Sequence, residues 1–296
     1  MLKNNIAGPV ALTFARLLQR YLIPCSIFER DSDRFGRTQG GSLDLHEGSS
    51  QLALREAGLY EEFLKHARPE GEVLKIYNPE GVLLLDEQKE DGVRRPGEFK
   101  GRPEIDRVLL RNLLLDSVES SSVHWGGKLE SVQTDDGKTY NLLFSNGVQR
   151  DFDLVVGADG AWSKVRKTVS DIRPFYSGVG GLDLKLTDVD NRLPQIAQRV
   201  GPGMCLTLGA NRGLLAQRNG DGSLRVYAFV RLPEEWYIKY GTQPSDPVQV
   251  KKEMLEEYFA DWEQGAKDLV LQSDDEVLVR PMYMLPIDFK WDHKPG

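Results

Sequence analysis

The 296-residue sequence predicts an α/β half of dinucleotide-binding type followed by a mostly antiparallel β half, and three observations carry that prediction. The first is Asp153 to Arg166, Asp-Leu-Val-Val-Gly-Ala-Asp-Gly-Ala-Trp-Ser-Lys-Val-Arg. It reads as a strand at Leu154 to Val156 buried on both faces, a turn, and a helix opened by Ser163. Gly157 and Gly160 permit a sharp reversal and close backbone approach to a ligand, and Asp159 can accept hydrogen bonds from a ligand hydroxyl or from nearby backbone. Backbone N–H groups and the positive end of a helix dipole at such a turn suit an anion or a nucleotide, although an ordinary βα turn has the same spacing. The second observation is a strand-end, turn, helix and strand over residues 6 to 31. The third is the change of composition beyond Ile172 to alternating strands with glycine turns.

At the start of the chain, Ile6-Ala7-Gly8-Pro9-Val10-Ala11 forms the turn, Leu12 to Tyr21 a helix, and Cys25 to Glu29 the second strand. Leu12, Ala15, Leu18 and Leu22 share a helical face that can pack on a sheet. Glu29 stands where a dinucleotide fold places the acid that binds the adenosine ribose hydroxyls, a position that repels a 2′-phosphate. The glycine fingerprint is incomplete, with Gly8 at its second position and Ile6 at its first.

Residues 31 to 46, with Arg37, Gly40, Gly41 and Asp44, read as a loop lying against a ligand or as a solvated loop. A helix capped by Ser49 or Ser50 runs to Leu64 and stalls at Gly58, and Val73 to Asp86 folds into a hairpin about Asn78-Pro79-Glu80-Gly81. Pro103 to Val118 reads as a helix on which Arg107 and Arg111 share a face, either holding a phosphate or an electron-rich ring or forming a solvated stripe. Val123 to Phe152 is a meander with turns at Asp135 to Lys138 and Ser145 to Gly147. In the second half, strands are expected at Met204 to Leu208, Gly213 to Gln217, Leu224 to Arg231 and Val277 to Ile287. Between them lies an amphipathic helix over Pro247 to Trp262 that reads as core.

A net charge of -7, with no run of Lys and Arg, argues against a nucleic-acid surface. Cys25 and Cys205 lie far apart without metal-ligand spacing, which suggests a reduced, cytoplasmic protein, and His46, His66, His124 and His293 are too scattered for a metal site. The N-terminus does not read as a signal peptide, and no stretch approaches the roughly 18 apolar residues of a membrane span.

Three motifs in order, the glycine turn with Glu29-Arg30, then Gly40-Gly41-Ser42-Leu43-Asp44-Leu45-His46, then Asp153 to Arg166, resemble those of the group A flavin monooxygenases. Within that para-hydroxybenzoate hydroxylase fold family the chain looks most like the tetracycline-inactivating enzymes and their fungal relatives. The resemblance implies a Rossmann-like (GR2-type) FAD-binding domain over 1–171, a mostly antiparallel-sheet substrate domain over 172–286, and a return to the FAD-binding domain over 287–296. It implies cofactor contacts from Gly8, Glu29, Arg30, Arg37, Asp44, Arg107, Asp159 and Gly160, with Glu29 on the ribose, Asp44 and Arg107 on the flavin half and Arg37 on NADPH. Asp159 and Gly160 lie in the motif that the family uses for both FAD and NAD(P)H. No catalytic residue is assigned.

The implied chemistry is reduction of FAD by NADPH or NADH, capture of O2 as a flavin C4a-hydroperoxide, and hydroxylation of a small aromatic or enolic substrate. Lys185, Arg212 and Arg225 fall near ligand-contacting positions of the tetracycline-degrading relatives without all matching them. The family's first fingerprint glycine is missing and the sequence stops before its Gly-Asp motif, so a truncated chain that binds FAD weakly is expected. A non-catalytic nucleotide-binding remnant and a plain NAD-dependent dehydrogenase are the alternative readings.

Overall fold

The computed structural model describes residues 2–4, 7–36, 40–87, 101–134 and 136–292. Ile6, Arg37, Asp135 and His293 lie outside the described residues. β1 (Leu2–Asn4), α1 (Pro9–Arg20) and β2 (Cys25–Phe28) form the expected unit. α1 begins three residues earlier than the apolar spacing suggests, because Pro9 fits the first helical position, where its missing N–H costs nothing. Its buried face is Ala11, Leu12, Ala15 and Leu18.

The stretch expected to be loop contains β3 (Ser42–Asp44). A wide helical turn at Glu47–Gln51, without a side-chain cap, leads into α2 (Leu52–Glu56), and α3 (Tyr60–Leu64) follows after Gly58, whose φ of 71° ends the first segment. β4 (Leu74–Tyr77) and β5 (Leu83–Asp86) make the expected hairpin. The helix expected from Pro103 starts later. Glu104–Asp106 is β6, paired antiparallel with β3 so that Leu43 faces Ile105, and α4 (Arg107–Ser117) begins after it. The alternation acid, apolar, acid suits a strand, here with both Glu104 and Ile105 buried on opposite faces, and Ile105 satisfies both readings because it is fully buried.

β7 (Val123–His124), the meander β8 (Leu129–Gln133), β9 (Tyr140–Phe144) and β10 (Gly147–Phe152), and then β11 (Leu154–Val156) complete the first half. A four-stranded sheet of order β11-β1-β2-β7 is parallel throughout. β11 lies at the end of that order and all three of its residues are half-buried, which corrects the expectation of a strand covered on both faces. Nor does Ser163 open an α-helix. Only a single 3-10 turn, Val165–Thr168, follows.

β12 (Phe175–Leu186), α5 (Val189–Arg192), α6 (Pro194–Val200), β13 (Met204–Gly209), β14 (Arg212–Arg218), β15 (Leu224–Arg231), α7 (Glu235–Tyr240), α8 (Pro247–Tyr258), α9 (Gln264–Leu271) and β16 (Val277–Met284) form the second half. Their strands join the early hairpin in a seven-stranded sheet of order β16-β12-β15-β14-β13-β4-β5. All its neighbours run antiparallel except β4 and β13, where Leu74 pairs with Met204. One face buries Leu182, Leu184, Leu214, Val226 and Val279 under the helices, with Met254 of α8 and Trp262 in the same core, as the sequence suggests.

Candidate cofactor and substrate site

Parallel strands deliver their carboxyl ends to one edge of a sheet, and β1, β2 and β11 bring the Gly8 turn, Glu29 and the Asp159-Gly160 turn to the same edge. Gly8 has extended backbone (φ -84°, ψ 167°) and caps α1 without any side chain, and no acid occupies the first turn. The start of this 12-residue helix is accessible at Val10, which is 77% exposed.

Glu29 is fully buried, and its carboxylate accepts from Ala7 N at 2.7 Å and from Asp31 N at 3.0 Å. The carbonyl of Ala7 is bound from the other side: Arg111 Nε donates to it at 2.9 Å, while Arg111 Nη1 donates to the Arg34 carbonyl at 2.7 Å. Arg111 is thus a buried brace of the turn, with its guanidinium 5.6 Å from the Trp125 ring, and so no part of a solvated stripe, whereas Arg107 is exposed. Arg30 is exposed and 4.0 Å from Asp31. Asp44 is half-buried, opposite Glu104 in the β3–β6 ladder, and lines an apolar cleft of about 420 Å³ with Pro9, Phe14 and Leu45.

In the Asp-Gly turn, Gly160 takes φ +78°. Asp159 Oδ2 accepts from Lys164 N at 2.6 Å, and Oδ1 is buried without a hydrogen-bond partner among the described residues. Ser163 Oγ accepts from Arg166 N at 3.0 Å, which shapes the turn in place of a longer helix.

Gly40 and Gly41 pass between α4 and the outer face of the large sheet. The Gly41 carbonyl accepts from Arg107 N at 3.2 Å. A Cβ on Gly41 would lie 3.0 Å from Gln217 Oε1, and one on Gly40 would lie 3.6 Å from Arg107 Nη1 and 4.0 Å from the Tyr227 hydroxyl. Of the three cations noted on the second half, Lys185 and Arg225 are cross-strand partners on this outer face. Arg212 is not. It donates to the Tyr258 carbonyl and pairs with Asp261 at 2.6 Å, on the helix-covered side.

Sequence reasoning overlooked a buried polar cluster beneath Gly41: Ser42, Arg68, Glu104, Asp106 and Gln217. Glu104 is fully buried, 2.8 Å from Arg68 Nη2, and accepts from Gln217 Nε2 at 2.9 Å. Glu104 and Asp106 two residues apart in extended chain are the signal that could have found it. Burial pushes the Glu104 carboxyl up from 4.5 to about 7, against the opposing pulls of Gln217 and Arg68. Because the folded protein then holds this proton more tightly than the unfolded chain does, stability from this group is fully present below about pH 4.5 and lost as pH rises to about 7. Urea titrations at pH 5 and pH 7.5 are expected to show Glu104→Gln removing up to about 3 kcal/mol of that decline. An unchanged pH dependence would assign the decline to other groups.

An uncapped helix start at a parallel-sheet edge, a buried acid ending the second strand, an orphaned carboxylate oxygen at Asp159 and two glycines in close approach all fit a dinucleotide cofactor. They define a dinucleotide-binding protein. The chain belongs to the FAD binding domain family, which matches residues 7–256. Its relatives include Monooxygenase penA of Penicillium thymicola, 29% identical with 95% of this chain and 73% of that protein aligned. Monooxygenase asqM of Emericella nidulans is 28% identical over 98% of this chain and 74% of its own length. The same fold occurs in 2,6-dihydroxypyridine-3-hydroxylase from Arthrobacter nicotinovorans (TM-score 0.75, 16% identity, 97% of this chain and 73% of that one). It occurs too in Klebsiella pneumoniae HpxO complexed with FAD and uric acid (TM-score 0.71, 16% identity, 96% and 68%). The cofactor of the family is FAD. Among the described residues no helix is long and apolar enough to cross a membrane, and no group of His, Cys, Asp and Glu could hold a metal.

Proposed function

We propose that the protein hydroxylates a small aromatic or enolic substrate, using FAD, NADPH or NADH and O2, between the Gly40–Gly41 segment and the outer face of the seven-stranded sheet. The observation that carries this is an apolar patch, beside the charged Lys185, Asp183 and Arg225, on the sheet face turned away from its own core. Tyr227 and Phe229 stack there at 5.6 Å and 6°, and Leu208 and Met282 are 50% and 47% exposed. An uncovered face of an antiparallel sheet is ordinarily polar, whereas this one offers ring-sized apolar surface above a cofactor segment.

Bound FAD supplies the oxygen activation, and the protein supplies binding, orientation and shielding from water. The α1 N-terminus holds the pyrophosphate, and Glu29, with Gly8 beside it, holds the ribose. Arg107 and Asp44 orient the ring end, Asp159 and Gly160 close the opposite side, and Arg30 and Arg37 serve the nicotinamide nucleotide. In this reading residues 1–171 carry the cofactor and residues 172–286 the substrate, with the β4–β5 hairpin on the substrate side.

The test is a panel of phenols and enolic acids incubated with the FAD-loaded protein, NADPH or NADH, and 18O2. A product gaining one 18O atom is expected, and NAD(P)H oxidation with no label in any product would sink the proposal. Glu29→Ala is expected to weaken FAD binding by about 1 to 3 kcal/mol, since it removes charge-assisted bonds to the ribose and frees Ala7 N. An unchanged dissociation constant in a FAD titration would make Glu29 a brace of the turn alone.

A further inference from the structure

Ser42, Arg68, the β6 pair Glu104 and Asp106, and Gly220 come from four separate segments yet meet around one guanidinium. Arg68 Nη2 donates to Ser42 Oγ at 2.7 Å, to Glu104 Oε2 at 2.8 Å, to the Arg218 carbonyl at 3.0 Å, and lies 3.5 Å from Asp106 Oδ1. Ser42 Oγ itself donates to Asp106 Oδ1 at 2.7 Å, and Gly220 N donates to both Asp106 oxygens at 3.0 and 3.1 Å. Backbone bonds add to this: Arg68 N donates to the Glu104 carbonyl at 2.8 Å and Glu104 N to the Arg68 carbonyl at 3.3 Å. Gly71 leaves the room, since a Cβ there would stand 2.8 Å from Glu104 Oε2.

These bonds join three things that the proposed reaction needs in register. Ser42 follows directly on Gly40–Gly41, Asp106 is the residue before Arg107 and caps α4, and Arg218 and Gly220 belong to the end of β14 and the turn into β15, which carries Arg225 and Tyr227. Glu104 is fully buried, and its carboxylate is engaged by Arg68 Nη2 and Gln217 Nε2. Resting on the function proposed above, we propose that Arg68 and Glu104 are positioning residues that set the gap between the cofactor segment Gly40–Ser42 and the substrate face of the large sheet.

The charged groups facing Glu104 are Arg68 from the segment before the 3-10 turn Pro69–Glu72, Asp44 from β3 and Asp106 on its own strand, while β14 presents the neutral Gln217. Burial and Asp44 oppose ionisation of Glu104, and Gln217 and Arg68 support it. Glutamine at this position mimics the protonated acid in shape and charge, so the variant and the wild type should converge where the acid is protonated and separate where it is not.

The test uses the full chain with FAD as the probe, and compares Arg68→Met, Arg68→Lys and Glu104→Gln at pH 6 and pH 8. Hydrogen exchange of the backbone over residues 40–46 and 217–223 is expected to rise about threefold or more in Arg68→Met at both pH values, with Arg68→Lys between it and wild type. The FAD dissociation constant is expected to rise about tenfold with it. Glu104→Gln is expected to match wild type at pH 6 and to shift toward Arg68→Met at pH 8. If exchange rises evenly over the whole chain, the pair is merely structural and the proposal falls. It falls equally if both segments and the FAD affinity stay as in wild type. If wild type itself binds no FAD, the functional reading fails, and the exchange of the two segments still decides whether the pair locks them together.

Discussion

Arg111→Ala is expected to cost about 3 kcal/mol of folding stability and to weaken FAD binding about tenfold, more than Arg107→Ala does in either measurement. The ranking follows from burial. Arg111 is 2% exposed and supplies donors to two carbonyls, Ala7 and Arg34, so truncation leaves both acceptors without their partner in a space that water enters poorly. Ala7 is held through its carbonyl by Arg111 and through its N–H by Glu29, and the Gly8 turn starts at the next residue. Slackening one of those two ties displaces the backbone amides that would meet a pyrophosphate. Arg107 is exposed, its backbone N–H bonds to Gly41, and its removal leaves no buried group unpaired. Urea denaturation with FAD titration on both variants checks this, and a loss below about 1 kcal/mol for Arg111→Ala would show that the brace is dispensable.

Asp183→Ala is expected to cost about 3 to 5 kcal/mol, the range for removing one partner of a buried ion pair. Asp183 is 4% exposed on β12, forms an ion pair with Arg225 Nε, and lies 3.1 Å from Arg280 Nε. Without it the guanidinium groups of β15 and β16 face each other across β12 with no carboxylate between them. The double variant Asp183→Ala/Arg225→Leu is expected to recover part of the loss, because it removes one of the stranded charges. Thermal melts of the single and double variants decide the matter. Additive losses would mean that Arg225 and Asp183 do not act as a pair.

Much of the fold was legible because its determinants are local. Gly8, Pro9 and the spacing from Leu12 to Leu18 announce a turn and a helix, Glu29 ends the strand that follows, and Leu224 to Arg231 alternates cleanly enough to give β15 its observed bounds. Misreadings arose where one apolar residue served two periods. Ile105 fits both a helix with Leu109 and a strand with Leu43, and only its pairing partner, some sixty residues away in the chain, decides between them. The roles of Arg111 and Glu104 were hidden for the same reason. A charged residue declares itself buried only through the carbonyls and carboxylates that other segments bring to it. Arg212 and Arg225 look alike in sequence, and strand parity alone puts one beneath the helices and the other above Gly41.

The β4–β5 hairpin lies early in the chain, yet its sole parallel partner, β13, is made much later. Residues 74–86 must therefore wait, with one strand edge bare, until Met204 to Thr207 exist to receive them. Each half is therefore expected to depend on the other to complete the large sheet. On a ribosome the first half would emerge with an unpaired strand, and closure of the large sheet across so long a loop is expected to be the slow step in reaching the native state. Splitting the gene at the apparent boundary near residue 171 should accordingly yield two unstable fragments that recover the fold only when mixed.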